Sequence, residues 1–239
     1  MESLKGKTAL VTGGSKGIGY GIAVELLKNG VHVAITSRTQ QAADEAAESL
    51  RKVSDAEVLA FEADVRDLGS QQRVVDAIVK EWGKLDAVIA NAGLGHFGSI
   101  EDLTAEQWQE TIDTNLTGVF NSTKASLEAL KQSKGYLITI ASLAGTNFFA
   151  NGSAYNASKF GVVGFSQAVM LDVRKYGIKV TTIMPGSVTS HFNGHEPNPD
   201  DAWKIQPEDL GQMTVDLLKM NPRTLPSKIE VRPTTPPSK

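Results

Sequence analysis

The sequence predicts an α/β fold in which a doubly wound parallel sheet is flanked by helices within a single domain. Short β-rich apolar runs alternate with longer helical patterns along most of the 239 residues, which is typical of consecutive βαβ units. The strand runs are apolar throughout, as burial on both faces of a parallel sheet requires. A glycine-rich turn also joins the first strand to the first helix, at the place where such sheets bind ligands.

The elements of the first half follow one another without long gaps. Strands are predicted where four to six residues are apolar or β-branched, and helices where longer runs are rich in Ala, Glu, Gln and Leu. The predicted strands are 8–12, 31–36, 58–61 and 85–90, and the predicted helices run from the glycine turn to residue 27, over 41–53 and over 71–82.

The second half continues the alternation. Thr104, with Gln107 three residues later, has the spacing of an N-terminal capping box and begins two helical stretches that end near residue 130. Pro207 suits the first turn of a late helix. The other predicted elements are strands at 135–140, 178–184 and 225–231, and a long helix over 154–176.

Nothing divides the chain into several domains. No internal repeat or shift of composition occurs, so residues 1–230 are predicted to form one domain. Residues 231–239 contain three prolines, which predicts an extended or disordered C-terminal tail.

The composition excludes several classes of protein. With 41% hydrophobic and 21% charged residues and a net charge of −3, the chain resembles an ordinary globular protein with no nucleic-acid or membrane partner. The absence of cysteine excludes a disulfide scaffold, a thiolate metal site and a Cys nucleophile. No apolar run reaches the roughly 18 residues of a membrane span, and no signal-peptide pattern is seen. We therefore expect a cytoplasmic protein.

The glycine turn, T-G-G-S-K-G-I-G at 12–19, predicts a phosphate-binding site. Gly13 permits the tight turn, Gly17 lets the backbone approach a phosphate, and Gly19 lets the helix pack closely on the strand. The pyrophosphate of a dinucleotide would then lie at the helix N-terminus. An isolated turn of this kind is a weak signal, but its place between strand and helix strengthens it.

The G-x-x-x-G-x-G spacing resembles that of the short-chain dehydrogenase/reductase family. Further motifs of that family follow in its order: Asp64-Val65, Asn91-Ala92-Gly93, Asn115, Ser142, Tyr155 with Lys159, and Pro185-Gly186. The resemblance covers residues 4 to 190 and implies a Rossmann-type oxidoreductase. The cofactor-binding residues that it implies are Gly13, Ser15, Lys16, Gly17, Ile18, Gly19, Ser37, Arg38, Asp64, Val65, Asn91, Ala92, Gly93, Tyr155, Lys159, Pro185, Gly186, Val188 and Ser190.

Four residues carry the chemistry that the resemblance implies. Tyr155 and Lys159 are four residues apart on a helix and so share one face. In the family, the tyrosine gives a proton to a carbonyl oxygen, while the lysine lowers the tyrosine pKa and holds the nicotinamide ribose. Ser142 would bind the substrate oxygen, and Asn115 would anchor a water. The competing interpretation, an ordinary aromatic and a surface lysine, is disfavoured by the accompanying motifs.

The end of the second strand indicates which cofactor is used. A carboxylate there would accept the 2′-hydroxyl of NAD and repel the 2′-phosphate of NADP. Position 37 is instead Ser, followed by Arg38, and Lys16 lies in the glycine turn. Two cations and no carboxylate predict NADP(H), because a guanidinium matches phosphate oxygens.

The substrate is less well defined. The family varies its substrate pocket in the segment that corresponds to 187–206, and Phe148, Phe149 and Phe192 are candidates for an apolar lining. His96 is either a contact at the mouth of the pocket or an exposed loop residue, and Trp203 is either a lid residue or simple packing. The glycine pair that usually follows the last strand is replaced here by R-P-T-T-P-P at 232–237.

Three functions remain open from the sequence. The favoured one is NADPH-dependent reduction of a 3-oxoacyl or small carbonyl compound to an alcohol. The others are an NAD-linked alcohol or sugar dehydrogenase and a catalytically silent NADP(H) sensor, because a fold alone does not fix function. The four histidines are scattered, so no metal site is expected. The helical stretches 104–130 and 154–176 match the family's main subunit interface, which implies a homodimer or homotetramer.

Overall fold

One seven-stranded parallel sheet organises the computed structural model, which describes residues 3–235, the side chain of Asn193 excepted. The strand order is β3-β2-β1-β4-β5-β6-β7. The Rossmann-type, doubly wound fold predicted from the sequence is therefore confirmed. The strands are β1 (Thr8–Val11), β2 (His32–Ser37), β3 (Val58–Glu62), β4 (Ala87–Ala90), β5 (Tyr136–Ile140), β6 (Lys179–Pro185) and β7 (Lys228–Val231).

Helices cover both faces of the sheet. The inner strands are apolar on both sides because their alternate residues enter different cores, whereas the edge strand β7 has an exposed Lys228 and Glu230. In β1, Ala9 and Val11 pack in one core and Leu10 in the other. The helices are α1 (Gly17–Lys28), α2 (Gln40–Leu50), α3 (Leu68–Trp82), α4 (Ala105–Ile112), α5 (Gly118–Ser133), α6 (Ser153–Val173) and α7 (Pro207–Lys219).

The division of the helices between the two faces follows from these two cores. The core that contains Ala9 and Val11 includes Ile22 of α1, Leu50 of α2 and Leu210 of α7. The opposite core includes residues of α3, α5 and α6, which are Val74, Val119 and Val162 respectively. This alternation between faces is that of a doubly wound sheet.

The strand order reverses between β1 and β4, which are adjacent although they are far apart in sequence. At such a switch point the connections after the two strands leave in opposite directions, so a crevice opens at the carboxyl ends. The glycine turn after β1 and the Asn91-Ala92-Gly93 segment after β4 both border it. The topology therefore places the predicted motifs around one cleft.

The structure differs from the sequence prediction mainly between 104 and 130. Thr104 forms the expected capping box with Gln107 and begins α4. A five-residue π-helical turn, Asp113–Thr117, then joins α4 to α5. Hydrophobic periodicity does not reveal such a turn, because it inserts one residue into a pattern that is otherwise helical.

Other element bounds shift by a few residues. β4 begins at Ala87 instead of residue 85, α3 begins at Leu68 instead of residue 71, and the last strand is limited to Lys228–Val231. The segment 187–206 contains two short 3₁₀ turns, Phe192–Gly194 and Pro199–Trp203. Of the predicted tail, residue 231 ends β7 and residues 236–239 lie outside the described part of the chain.

None of the helices within residues 3–235 combines the length and the apolar character that a bilayer crossing needs.

Candidate active site

The glycine turn forms one wall of the cleft. Gly13 and Gly17 have positive φ angles of 63° and 57°, which a residue with a side chain adopts only with strain. A Cβ on Gly19 would lie 2.5 Å from the carbonyl oxygen of Gly13. The turn is therefore as tight as the sequence predicts, and only glycine fits at its last position without a shift of the backbone.

Asn91 ties this turn to the end of β4. Its Nδ2 donates hydrogen bonds to the carbonyl oxygens of Thr12 (2.9 Å) and Gly13 (3.2 Å). In return, the Thr12 hydroxyl accepts from the backbone N–H groups of Asn91 and Ala92. The two sides of the switch point are thus fixed to each other without the help of a ligand.

The N-terminus of α1 has no cap of its own. Lys16 occupies the N-cap position without a side-chain hydrogen bond to the helix, and the first turn contains no acidic residue. By contrast, Thr39 caps α2 and Asp67 caps α3. Unpaired N–H groups and the positive end of the helix dipole therefore face the cleft, an arrangement that suits a phosphate.

The cleft is large enough for a dinucleotide. Its volume is about 1160 Å³, above the usual range for one small ligand. The cleft is lined by every residue that the resemblance implies for the cofactor except Gly19, which packs behind the turn: Gly13, Ser15, Lys16, Gly17, Ile18, Ser37, Arg38, Asp64, Val65, Asn91, Ala92, Gly93, Tyr155, Lys159, Pro185, Gly186, Val188 and Ser190. The N–H groups at the start of α1 and the glycine turn fit a pyrophosphate with a nucleoside at each end.

The end of β2 has positively charged side chains nearby and lacks the carboxylate that would bind the 2′-hydroxyl of NAD. Ser37 lies 3.3 Å from Ser15, hydroxyl to hydroxyl, and Arg38 and Lys16 line the same part of the cleft. A third cation, Arg66, was not predicted from the sequence; its Nη2 lies 2.6 Å from Oδ2 of Asp64. The hydrogen bond from Arg66 is the main cause that holds the pKa of Asp64 below its ordinary value.

Two other carboxylates line the cleft, and each has a hydrogen-bonding partner. Glu45 accepts from the amide of Gln41, at 2.9 Å. Glu110 lies 2.8 Å from Nε2 of His96. His96 thus lies behind Glu110, and it is not among the residues that line the cleft.

Ser142, Tyr155 and Lys159 meet at the inner end of the cleft. Tyr155 and Lys159 project from the first turns of α6, and Ser142 follows β5. The Lys159 Nζ lies 5.6 Å from the centre of the Tyr155 ring and donates a hydrogen bond to the Ile140 carbonyl at 3.1 Å. Ser142 lies close to Tyr155 and lines the same cleft. The three predicted residues are therefore brought together beside the glycine turn.

Burial dominates the ionisation of this group. Desolvation raises the pKa of Tyr155 above its ordinary value, against the smaller effect of the Ser142 hydrogen bond. Desolvation also lowers the pKa of Lys159 from 10.5 to about 8. The expected lowering of the tyrosine pKa by Lys159 is therefore not found in the protein alone, because transfer of a phenolate out of water outweighs the nearby ammonium.

Asn115 lies in the π-helical turn and is fully buried. Its Oδ1 accepts from the N–H of Leu94 at 2.8 Å, and its Nδ2 donates to the Leu94 carbonyl at 2.8 Å and to Ser158 at 3.0 Å. The side chain thus holds the segment after β4 against α6, directly beside Lys159. Single π turns are frequent at functional sites. In this turn Thr114 lines the cleft, and Asn115 lies buried against Gly93.

The segment 187–206 closes one side of the cleft through an ion cluster. Asp201 is buried and binds both His195, at 2.5 Å, and Lys204. The hydrogen bond from His195 is the largest of the effects that lower the pKa of Asp201 to about 2. His195 and Lys204 also line the cleft. This cluster was not predictable from the sequence, because His195, Asp201 and Lys204 lie in a segment of loops and short 3₁₀ turns that has no helix or strand period.

Two phenylalanine rings contact the ring of Tyr155, and a third contacts one of those two. The ring centroids of Phe97 and Phe192 lie 5.3 Å and 5.6 Å from that of Tyr155, and Phe149 lies 6.0 Å from Phe97. Phe97 and Phe149 remain about half exposed. Phe149 and Phe192 were candidates from the sequence, whereas Phe97 was not. The ring of Tyr155 is therefore bordered by apolar aromatic side chains.

The remaining candidates from the sequence have simpler surroundings. His191 lies 3.6 Å from Glu196, and among the described residues no three His, Asp or Glu side chains are arranged to hold a metal ion. Trp203 lines a second cavity beside Ser142 and Tyr155, together with Phe148. Of the two interpretations of Trp203, a lid residue or simple packing, the structure therefore favours the lid residue at the pocket.

The buried charge of Lys159 leads to a prediction about stability. Because its folded pKa is below the unfolded value, the native state is penalised fully below pH 8, and the penalty disappears as the pH rises through about 10.5. At about 1.4 kcal/mol per pKa unit the cost at pH 7 is at most roughly 3.5 kcal/mol. Lys159→Met should therefore raise the free energy of unfolding of the ligand-free protein at pH 7.

Urea unfolding of both proteins at several pH values measures this effect. The advantage of the variant should shrink between pH 8 and pH 10.5. Lys80→Met, on the exposed surface of α3, should show no such trend. A Lys159→Met protein that is less stable than the wild type at pH 7, with a pH-independent difference, would contradict the assignment of a desolvated ammonium.

Comparison with known proteins gives consistent matches. The model of the short chain dehydrogenase family matches residues 7–200. Sepiapterin reductase of Chlorobaculum tepidum is 34% identical over 235 residues, which cover 95% of this chain and 96% of that protein. The family model covers the cleft residues up to 200, and the sepiapterin reductase match covers nearly the whole chain.

Solved structures share the same architecture. The alcohol dehydrogenase of the archaeon Thermococcus sibiricus, complexed with 5-hydroxy-NADP, is 27% identical, and the alignment covers 98% of this chain and 99% of that one with a TM-score of 0.90. Carveol dehydrogenase of Mycobacterium avium, in complex with NAD, is 23% identical over 97% of this chain and 98% of its own, with a TM-score of 0.88. The second likeness concerns the fold alone.

Proposed function

The chain belongs to the short-chain dehydrogenase family and is an NAD(P)-dependent oxidoreductase of carbonyl or alcohol groups, and we propose that it reduces ketones or aldehydes with NADPH. The observation that carries the proposal is the group of Ser142, Tyr155 and Lys159 beside a glycine turn that fits a pyrophosphate. The names of its relatives include reductases as well as dehydrogenases, so the direction of reaction rests on the chemistry of the site.

In the proposed reaction a carbonyl compound, NADPH and a proton yield an alcohol and NADP⁺. The nicotinamide, when bound, supplies the hydride that adds to the carbonyl carbon. Tyr155 gives its phenolic proton to the carbonyl oxygen, and Ser142 donates a hydrogen bond to that oxygen. A tyrosine whose pKa is raised by burial is fully protonated at neutral pH, which is the form that reduction requires.

Lys159 contributes a positive charge to this step. With a pKa of about 8 it is mainly protonated at pH 7. Its Nζ therefore stabilises the phenolate that remains after the proton has left, although in the protein alone burial keeps the net pKa of Tyr155 above its ordinary value. Asn115 holds the neighbouring segment in place through its three hydrogen bonds.

The cations at the end of β2 support NADPH over NADH. Arg38, Lys16 and Arg66 line this part of the cleft, and position 37 has no carboxylate to repel a phosphate. Arg66 is engaged with Asp64, so Arg38 and Lys16 are the side chains proposed to bind the 2′-phosphate. An NAD-linked dehydrogenase would instead be favoured by an acidic residue at this place.

Measurement of cofactor oxidation against a small panel of ketones and aldehydes tests the proposal. Oxidation of NADPH, with slower oxidation of NADH, is the expected result. Tight binding of NADPH without turnover of any carbonyl would favour the silent sensor. Turnover of alcohols with NAD⁺ and none of carbonyls with NADPH would favour the dehydrogenase.

We also propose that the protein is a homodimer or homotetramer, with a cytoplasmic location as its sequence predicts. Three large apolar side chains on α5 and α6 are about half exposed: Phe120 (44%), Phe160 (43%) and Leu171 (55%). Exposed large apolar side chains on these two helices support a subunit contact there.

Light scattering measures the oligomeric state. The molar mass should be two or four times 25.5 kDa. Phe160→Glu should reduce it, because a charge in such an interface loses its water without gaining a partner. Leu68→Glu, at an exposed leucine on α3, serves as the control and should change nothing. A wild-type mass of one chain at micromolar concentration would refute the proposal.

A further inference from the structure

A second cavity adjoins the proposed reaction centre. Its volume is about 710 Å³, and it shares Ser142, Tyr155, Gly186 and Ser187 with the cofactor cleft. A molecule in this cavity can therefore present a carbonyl group to Ser142 and Tyr155 while the rest of it stays outside the cofactor cleft.

The walls of this cavity are mostly apolar and contain flat groups. Leu143 and Phe149 come from the segment after β5, Trp203 from the segment 187–206, and Pro233 from the chain beyond β7. Aromatic side chains favour stacked or edge-on contacts with other rings. The cavity thus suits a compound with a ring or another rigid apolar body.

The chain beyond β7 is held in place against the rest of the site. The Gly186 N–H donates a hydrogen bond to the Val231 carbonyl oxygen at 2.8 Å. A Cβ on Gly186 would lie 3.4 Å from Cδ of Pro233 and 3.1 Å from Cδ1 of Leu143. The pairing of β6 with β7 therefore positions Arg232 next to the motif that borders the reaction centre.

Arg232 gives the cavity a positive charge. Among the described residues that line the cavity, it is the charged one, and no carboxylate joins them. Its Nη2 lies 2.9 Å from Oε2 of Glu230, and both side chains are about half exposed. An ion pair this exposed adds little to the stability of the fold. A guanidinium has five N–H donors, which leaves several for a second carboxylate.

We propose that the substrates are ring-containing ketones or aldehydes that carry a carboxylate, and that Arg232 selects them by binding that carboxylate. This inference rests on the proposed reductase activity. Ser142 and Tyr155 engage the carbonyl oxygen, the apolar walls hold the ring, and the guanidinium matches the two carboxylate oxygens. The R-P-T-T segment, which departs from the family pattern, then has a role in specificity.

Matched substrates test the inference. The wild-type protein should reduce 4-acetylbenzoate, with NADPH, at a kcat/KM about 10-fold above that for its methyl ester, since one charge-assisted contact corresponds to roughly a factor of ten. Arg232→Gln should remove this preference and leave the ester unaffected. Glu230→Gln should increase the preference, because it releases the guanidinium. Arg223→Gln, an exposed arginine outside the cavity, is the charge-matched control.

The outcomes separate the inference from the proposed function. Equal kcat/KM for acid and ester in the wild type, or equal losses for both in Arg232→Gln, would overturn the role of Arg232 and leave the reductase intact. Absence of turnover with either compound and with the carbonyl panel would overturn the proposed function. Calorimetric titration of 4-acetylbenzoate then decides the inference: tighter binding to the wild type than to Arg232→Gln supports it, and equal binding refutes it.

Discussion

Tyr155→Phe is expected to lower kcat for carbonyl reduction by about 10²- to 10⁴-fold, the usual contribution of a positioned general acid. The phenolic proton is the one proposed to reach the carbonyl oxygen, and phenylalanine keeps the ring contacts with Phe97 and Phe192 while it removes that proton. The affinity for NADPH should change little, because the substitution leaves the glycine turn and the cations proposed to bind the phosphates unchanged. Steady-state kinetics and fluorescence titration with NADPH measure the two quantities separately.

A control separates the chemical effect from a loss of structure. Tyr176→Phe alters a half-exposed tyrosine at the far end of the same helical segment and should leave kcat unchanged. If Tyr155→Phe retains wild-type turnover, proton donation by Tyr155 is excluded and the proposed mechanism is wrong.

Arg38→Asp is expected to weaken NADPH binding by about 10- to 100-fold, because a charge-assisted hydrogen bond to phosphate is lost and a repulsive carboxylate is added. The same carboxylate suits a 2′-hydroxyl, so the affinity for NADH should stay the same or increase. Dissociation constants for both cofactors, measured at one ionic strength, provide the comparison.

The charge-matched control for this variant is Arg223→Asp, since Arg223 is exposed and lies outside the cleft. It should change neither dissociation constant. Equal losses of NADPH and NADH affinity in Arg38→Asp would show that the arginine does not distinguish the 2′-phosphate, and the proposed cofactor preference would then fail.

The sequence predicted those features that depend on local pattern. Apolar runs indicated buried strands, and strand-to-helix alternation indicated the doubly wound sheet. The four-residue spacing of Tyr155 and Lys159 placed both side chains on one face of α6. The glycine turn was predictable because Gly13 and Gly17 adopt conformations that few other residues tolerate.

Features that depend on loop conformation or on distant parts of the chain were not predictable. The ionic partners of Asp201 and the contact of Arg66 with Asp64 lie within six residues in sequence, but they form in segments where no helix or strand period predicts which side chains meet. The direction of the Tyr155 pKa follows from burial, which sequence spacing does not reveal. The position of Arg232 at the second cavity depends on the pairing of β7 with β6, which joins segments more than 40 residues apart.

Transfer of isotope from cofactor to product tests the central claim most directly. The wild-type protein is incubated with NADPH dideuterated at C4 and a ketone that it reduces, and the alcohol is analysed by mass spectrometry. The account predicts one deuterium on the carbinol carbon, and much less alcohol when deuterated NADH replaces deuterated NADPH. Tight binding of NADPH without any deuterated alcohol from a broad set of carbonyl compounds would contradict it.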